Sequence, residues 1–290
     1  MLSLAELHQI KRQTWSGHNH TEFCPHGSGE DTEAFIQRAI ASGFQTYSIT
    51  EHFPLPPEFY RPTTGSRHAI ATAAMRLTEL PAYFTKMAML KRKYHNQIRL
   101  LVGFEVDYIA EFREWTVQQL ARYHNQMDDA ILSVHFLPTE TGLRAIDESP
   151  QDFRQGVLQA YGSPVAVANA YLQTLQAAVD WSTPNKPHRY GHPMLYRKWR
   201  NTFPSQTLWA DATTQERQHT LYASIQRRQE FLDCNMAGLF RPTETESSPN
   251  QDWLRAAQQA QIPLVFGADA HKVAAVDQGY NTYLENHYFM

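Results

Sequence analysis

Seven times along this chain a short apolar run gives way to a longer segment with helical spacing, and this alternation restricts the fold more than any other feature. The runs lie at about 14–19, Phe44–Thr50, Ile98–Phe104, Ala130–Val134, His188–Gly191, Cys234–Leu239 and Pro263–Gly267. Helical spacing is read over 32–42, 74–95, 109–124, much of 150–182, 213–232 and 250–260, with a short amphipathic helix over 2–12 ahead of the first strand. Asp31 is placed to cap the helix over 32–42, and Gly43 to stop it. Short buried strands alternating with helices imply a parallel sheet. A length of 290 residues suits one α/β barrel, so residues 1–290 are read as a single barrel domain with 1–13 as an N-terminal extension.

Parallel strands joined by helices put all their C-terminal ends on one face, which is where barrels carry their active sites. Here those ends carry His18 and His20, Glu51 and His52, Glu105, His135, His192, and Asp269 with His271. Six of the seven strands thus end in a residue type that binds metal. His18 and His20, two apart on an extended strand, aim both imidazoles at one spot. His26 follows on a loop with Pro25 and Gly27 that can fold back over it. Glu51 is next to a ligand but faces the other way on its strand, so it is left out of the ligand set.

Nine side chains are more than one ion needs. Imidazole mixed with carboxylate and no thiolate suits zinc, manganese or iron rather than a cysteine-based structural zinc. With three or four protein ligands per ion and one carboxylate shared, nine donors fit three divalent ions. Such a site points to metal-assisted hydrolysis, with phosphate esters the natural substrates.

Composition narrows the partners. A net charge of −3 and a pI near 6.5 offer no basic field for a nucleic-acid backbone, so a small phosphorylated molecule is expected instead. Two cysteines, Cys24 and Cys234, are too few for a disulfide framework. Met1–Gln13 lacks the apolar core of a signal peptide, and no run is long enough to span a bilayer, so no membrane association and a cytoplasmic location are expected. Of 14 histidines, seven fall in the motifs above; His8, His68, His95, His124, His188, His219 and His287 are read as surface or packing residues.

The ordered set His18/His20, Thr50–His52, Gly103–Glu105, Ser133–His135, Gly191–Pro193 and Gly267–His271 resembles the polymerase-and-histidinol-phosphatase (PHP) superfamily over about residues 15–275. The resemblance implies a distorted seven-stranded (β/α) barrel and three metal positions. His18, His20, Glu105 and Asp269 would hold the first ion. His26, His52 and His271 would hold the second, and Glu105 again with His135 and His192 the third. Glu105, Asp269 and His271 would then be catalytic as well, with a hydroxide nucleophile between ions.

Within the superfamily the chain is most similar to monofunctional histidinol-phosphatases of histidine biosynthesis. The similarity rests on the loop Cys24–Gly27, on Glu51–Pro56, on Tyr196–Trp199 and on Ala237–Pro242. It implies hydrolysis of L-histidinol phosphate, and phosphate-gripping arginines at Arg197 and Arg241, whose guanidinium forks match phosphate oxygens. The alternatives are a PHP phosphoesterase for another small ester, such as a nucleotide or sugar phosphate, and a metal-binding domain without turnover. Phe53, Phe59 and Tyr60 are expected to cover an imidazole-bearing substrate, with Glu58 near its amino group.

Overall fold

The computed structural model describes residues 1–290. Its strands are β1 (Trp15–Asn19), β2 (Thr46–His52), β3 (Arg99–Asp107), β4 (Asp129–Ser133), β5 (Phe136–Thr139), β6 (Gly142–Ala145), β7 (Arg189–Tyr190), β8 (Phe231–Asn235) and β9 (Leu264–Ala270). Seven of them close a barrel in the order β1-β2-β3-β4-β7-β8-β9, every pairing parallel. Strands β5 and β6 form a separate antiparallel hairpin above the rim. The expected seven-stranded parallel barrel is the observed one. No helix is long and apolar enough to cross a membrane.

The first long helix, Thr32–Ala41, starts where Asp31 accepts a hydrogen bond from the Glu33 N–H, and the chain leaves it through Gly43 at φ 84°. It buries Phe35, Ile36 and Ala39 against the barrel. Other boundaries differ from expectation for identifiable reasons. The helix Ala212–Arg228 stops where Gln229 turns left-handed at φ 55°, so Phe231 opens the sixth barrel strand rather than closing a helix. That strand ends at Asn235, and 237–239, read as strand, lies in the 3₁₀ turn Ala237–Phe240. The stretch 74–95 begins in a 3₁₀ turn (Leu77–Glu79) and becomes α-helical at Leu80–Tyr94, while a separate short helix, Arg67–Thr72, precedes it. Gly162, at φ 82°, divides the helical stretch over 150–182 just before the helix Pro164–Asp180.

The barrel is plugged at its N-terminal end. Ser3 caps the helix Leu4–His8, whose Leu7, together with Ile10, packs on Trp15, Leu101, Phe231 and Val265. Above this plug runs a buried polar layer. Arg189 and Asp129 pair at 2.6 Å with neither side chain exposed, and Arg189 also donates to the Gly17 carbonyl at 2.7 Å. Ser48 donates to Asp129 at 2.7 Å and accepts from the Trp15 indole at 2.8 Å. Charges buried this deeply are tolerated because each faces the opposite charge and further hydrogen-bond partners. The opposite end of the barrel stays open.

Candidate metal centre and substrate cavity

Six of the seven barrel strands deliver ligands at their C-terminal ends. Strand β1 carries His18 and leads directly to His20, β2 ends in Glu51 and His52, and β3 carries Glu105 and Asp107. His135 lies just past β4, His192 past β7, and β9 supplies Asp269 followed by His271. Asp269 sits at φ 49°, in the left-handed region that a non-glycine residue adopts only when its surroundings hold it there.

Glu105 is the hub. Its Oε2 lies 3.2 Å from His18 Nε2, 3.6 Å from His20 Nε2 and 3.4 Å from His52 Nδ1. Its Oε1 lies 2.8 Å from His192 Nε2 and 3.6 Å from His135 Nε2, and accepts a 2.6 Å bond from Ser133. Five imidazoles therefore divide between its two oxygens. Asp269 Oδ1 is 3.3 Å from His20 Nε2 and 3.7 Å from His18 Nε2. His135 and His192 approach Nε2 to Nε2 at 3.1 Å, as do His26 and His271. His52 lies beside the second of these pairs, its ring centroid 4.8 Å from that of His26. The structure thus brings all nine expected ligands together, in three neighbouring groups.

Orienting partners fix which nitrogen faces inward. Asp233 takes the His18 Nδ1 at 2.7 Å, Asp107 that of His135 at 2.9 Å, and Glu51 that of His20 at 3.4 Å. The Thr72 carbonyl takes the His26 Nδ1 at 2.9 Å, and the Asp269 carbonyl that of His271 at 3.0 Å. A metal-binding histidine typically donates its other nitrogen in this way, which sets its tautomer and raises its basicity. Glu51, left out of the ligand set, lies behind His20 and is itself anchored by the Thr21 N–H at 2.9 Å and hydroxyl at 2.5 Å. Asp107 and Asp233 were missed. Asp107 could have been found, being two residues from Glu105 and so on the same face of its strand. Asp233 lay hidden in a stretch read as helix end.

Several inward nitrogens are buried and make no hydrogen bond, although carboxylate oxygens stand near them: Nε2 of His18 and His20, and both nitrogens of His52. Buried polar atoms without a hydrogen bond are costly, and a metal ion would satisfy such nitrogens in their unprotonated form. The electrostatics agree. Burial opposes charge on His18, but Glu105, Asp233 and Asp269 outweigh it and hold the imidazole well above its usual range. Burial is likewise overcome for His20, raised to about 9 by Asp269 and Glu51, and for His135, raised to about 10 by Asp107 and Glu105. His52 and His271 go well below, driven by burial and then by the neighbouring His20. Burial would raise Glu105 and Asp269, yet the imidazoles around them keep both well below the carboxylate range. The carboxylates in and around the cage thus favour positive charge on it, which divalent ions could supply. The Cys24 thiol also sits within 4.8 Å of donor atoms of His20, His52 and His271, with burial pushing it up into its neutral form.

Above the cage opens a cavity of about 670 Å³, within the range of small-molecule sites. Its wall includes Arg241, Lys198 and Lys272, and the carboxylates Asp147 and Glu148. Arg241 Nη2 lies 3.4 Å from Asp269 and its Nη1 3.5 Å from Glu244, whose burial raises that carboxyl to about 7. Arg197, expected beside Arg241, is not on this wall: Glu246 holds it through both its Nε and, at 3.1 Å, its Nη2. The cation that faces the cavity is the next residue, Lys198, paired with Asp147 at 3.0 Å.

The aromatic residues of 53–60 do not cover the cavity either. Phe53 packs edge-on against Phe104, and Phe59 against Phe136 in a small core with Ala69, Ile109 and Leu143, while Tyr60 and Glu58 face solvent. The wall is built instead from the short helix Arg67–Thr72, which contributes His68, Ala69 and Thr72, and from the hairpin β5-β6. His68, read as a surface residue, is solvent-exposed but lies on that wall.

Comparison with known proteins matches residues 16–228 to the PHP domain family. The chain is similar to histidinol-phosphatase of Bacillus subtilis, 36% identical over 279 residues that cover 94% of this chain and 99% of the relative. It superposes on the crystal structure of a candidate histidinol phosphatase from Listeria monocytogenes with a TM-score of 0.90 and 38% identity, covering 93% of this chain and 99% of that one. A histidinol phosphate phosphatase from Lactococcus lactis, complexed with zinc, L-histidinol and phosphate, shares the fold at a TM-score of 0.67 and 18% identity, covering 96% and 95% of the two chains.

Proposed function

The chain belongs to the PHP domain family, and from that premise we propose that it is a phosphomonoesterase that hydrolyses L-histidinol phosphate to L-histidinol and phosphate. The observation that carries the reading is Glu105, shared between two groups of imidazoles at the floor of a cavity whose wall presents cations. The near full-length likeness to the Bacillus subtilis enzyme supports the substrate.

The nine donors favour three divalent ions. His18, His20, Asp269 and Glu105 would hold one, His26, His52 and His271 a second, and Glu105, His135 and His192 a third; zinc, manganese and iron all suit such donors. When bound, such ions acidify water and neutralise the oxygens of a phosphoryl group. The protein supplies the rest. Asp233, Asp107 and Glu51 hold three imidazoles at fixed tautomers, so the cage needs no rearrangement during turnover. Arg241, aimed by Asp269 and Glu244, would present a guanidinium edge to the phosphoryl oxygens, and Lys198, paired with Asp147, stands on the same wall.

The test is steady-state turnover of L-histidinol phosphate beside a panel of nucleotide, sugar and aryl phosphates, on protein purified without chelators and assayed for metal. Strong preference for L-histidinol phosphate with two to three ions per chain is the expected result. A clear preference for another ester at equal enzyme loading would overturn the substrate assignment.

A further inference from the structure

Four carboxylates line the cavity: Glu105, Asp269, Asp147 and Glu148. The first two belong to the metal cage, and Asp147 is neutralised by Lys198 at 3.0 Å. Glu148 is different. Its Oε1 accepts from the Ser66 hydroxyl at 2.9 Å and lies 3.3 Å from His68 Nδ1, and no lysine or arginine pairs with it. His68 is open to water, with 69% of its side chain exposed. Glu148 itself is only 23% exposed and opens onto the cavity. It is also held in place: it follows the hairpin strand β6 and is tied to Ser66, the residue that caps the helix Arg67–Thr72. A fixed, partly desolvated carboxylate without a fixed cation is a receptor for a cation that arrives with the ligand.

The charges on the wall are therefore divided. The metal cage and Arg241 suit the anionic end of a phosphate ester, and Glu148 suits a cationic end of the same molecule. We propose that Glu148 receives the primary ammonium of the substrate, so that the cavity selects phosphate esters of amino alcohols over esters lacking the amine. This inference rests on the substrate reading above and adds the residue that enforces it. Ser66 and His68 orient Glu148 through its Oε1, which leaves Oε2 to meet the ammonium.

The experiment compares kcat/KM for L-histidinol phosphate with that for its analogue lacking the amino group, in wild-type protein, Glu148→Gln and Glu148→Asp. Wild-type protein should prefer the amine-bearing ester. In Glu148→Gln that preference should fall by about tenfold to a hundredfold, the loss of one charge-assisted hydrogen bond, and the fall should appear in KM. Glu148→Asp, which keeps the charge on a shorter arm, should recover part of it. A Glu148→Gln protein that keeps the wild-type preference, or that loses activity equally on both esters, would overturn the assignment. Metal-replete wild-type protein that turns over neither ester would overturn the substrate reading, and this inference with it.

Discussion

Removing the metal should make the protein's stability fall as pH rises, because protons then have to do the work of ions. Around Glu105 and Asp269 the metal-free cage keeps His18, His20 and His135 protonated. A group whose pKa is raised on folding contributes stability that is complete below its unfolded value and is lost as pH climbs through its folded value. For His20 that window runs from 6.5 to about 9, and His135 extends it to about 10. The His20 shift alone corresponds to roughly 3 kcal/mol, at about 1.4 kcal/mol for each pH unit. At about 2 °C per kcal/mol for a chain of this size, Tm should drop by roughly 6 °C across the window. His52 and His271, pushed the other way, contribute stability present above 6.5 and lost as pH falls, so the metal-free protein should be most stable near 6.5. Ions replace the protons, so the metal-loaded protein should be nearly flat over the same range. Differential scanning fluorimetry of chelator-treated and zinc-loaded samples from pH 6 to 10 measures both curves. Parallel curves would refute the idea that the cage exchanges protons for metal.

Five substitutions probe the site and its surroundings. Glu105→Gln should release ions from two of the three groups and abolish measurable turnover; near-normal activity with full metal content would remove Glu105 from its bridging role. Asp233→Asn should weaken metal retention about tenfold to a hundredfold in chelator competition, because His18 loses its charged 2.7 Å partner while the ligand itself stays. Arg241→Ala should raise KM for the phosphate ester at least tenfold, whereas Arg197→Ala, engaged by Glu246 away from the cavity, should raise it far less; equal effects would contradict the placement of the two side chains. Phe59→Ala should cost about 3–5 kcal/mol in urea unfolding with little change in KM, since Phe59 fills a core and not the substrate pocket.

The ligand cage could be read in the sequence because barrel geometry forces its chemistry to the ends of strands, and those ends follow apolar runs that stand out. His18, Glu105 and Asp269 each sit at such an end, and their residue types are rare in a core without a purpose. What surrounds the cage was harder to see. Asp233 was hidden because the left-handed turn at Gln229 starts its strand earlier than the apolar pattern suggests. Arg197 and Lys198 are neighbours with the same charge, and only the 3₁₀ turn Leu195–Arg197 decides which one meets the cavity. Phe59 reads equally well as a lid or as packing until the hairpin β5-β6, too short to announce itself, supplies the Phe136 that covers it. Glu148 stands on the same hairpin's exit, in a polar stretch with no periodicity to draw the eye.

The plug at the barrel's N-terminal end has a consequence for how the centre is loaded. With Leu7, Ile10 and Trp15 sealing one mouth and the Arg189–Asp129 layer filling the throat, the interior has a single doorway. Ions, substrate and both products must pass the same rim, past Arg241 and Glu148. Occupancy of that doorway should then govern traffic in metals as well as in esters: a molecule resting on the wall should shield ions beneath it from chelators.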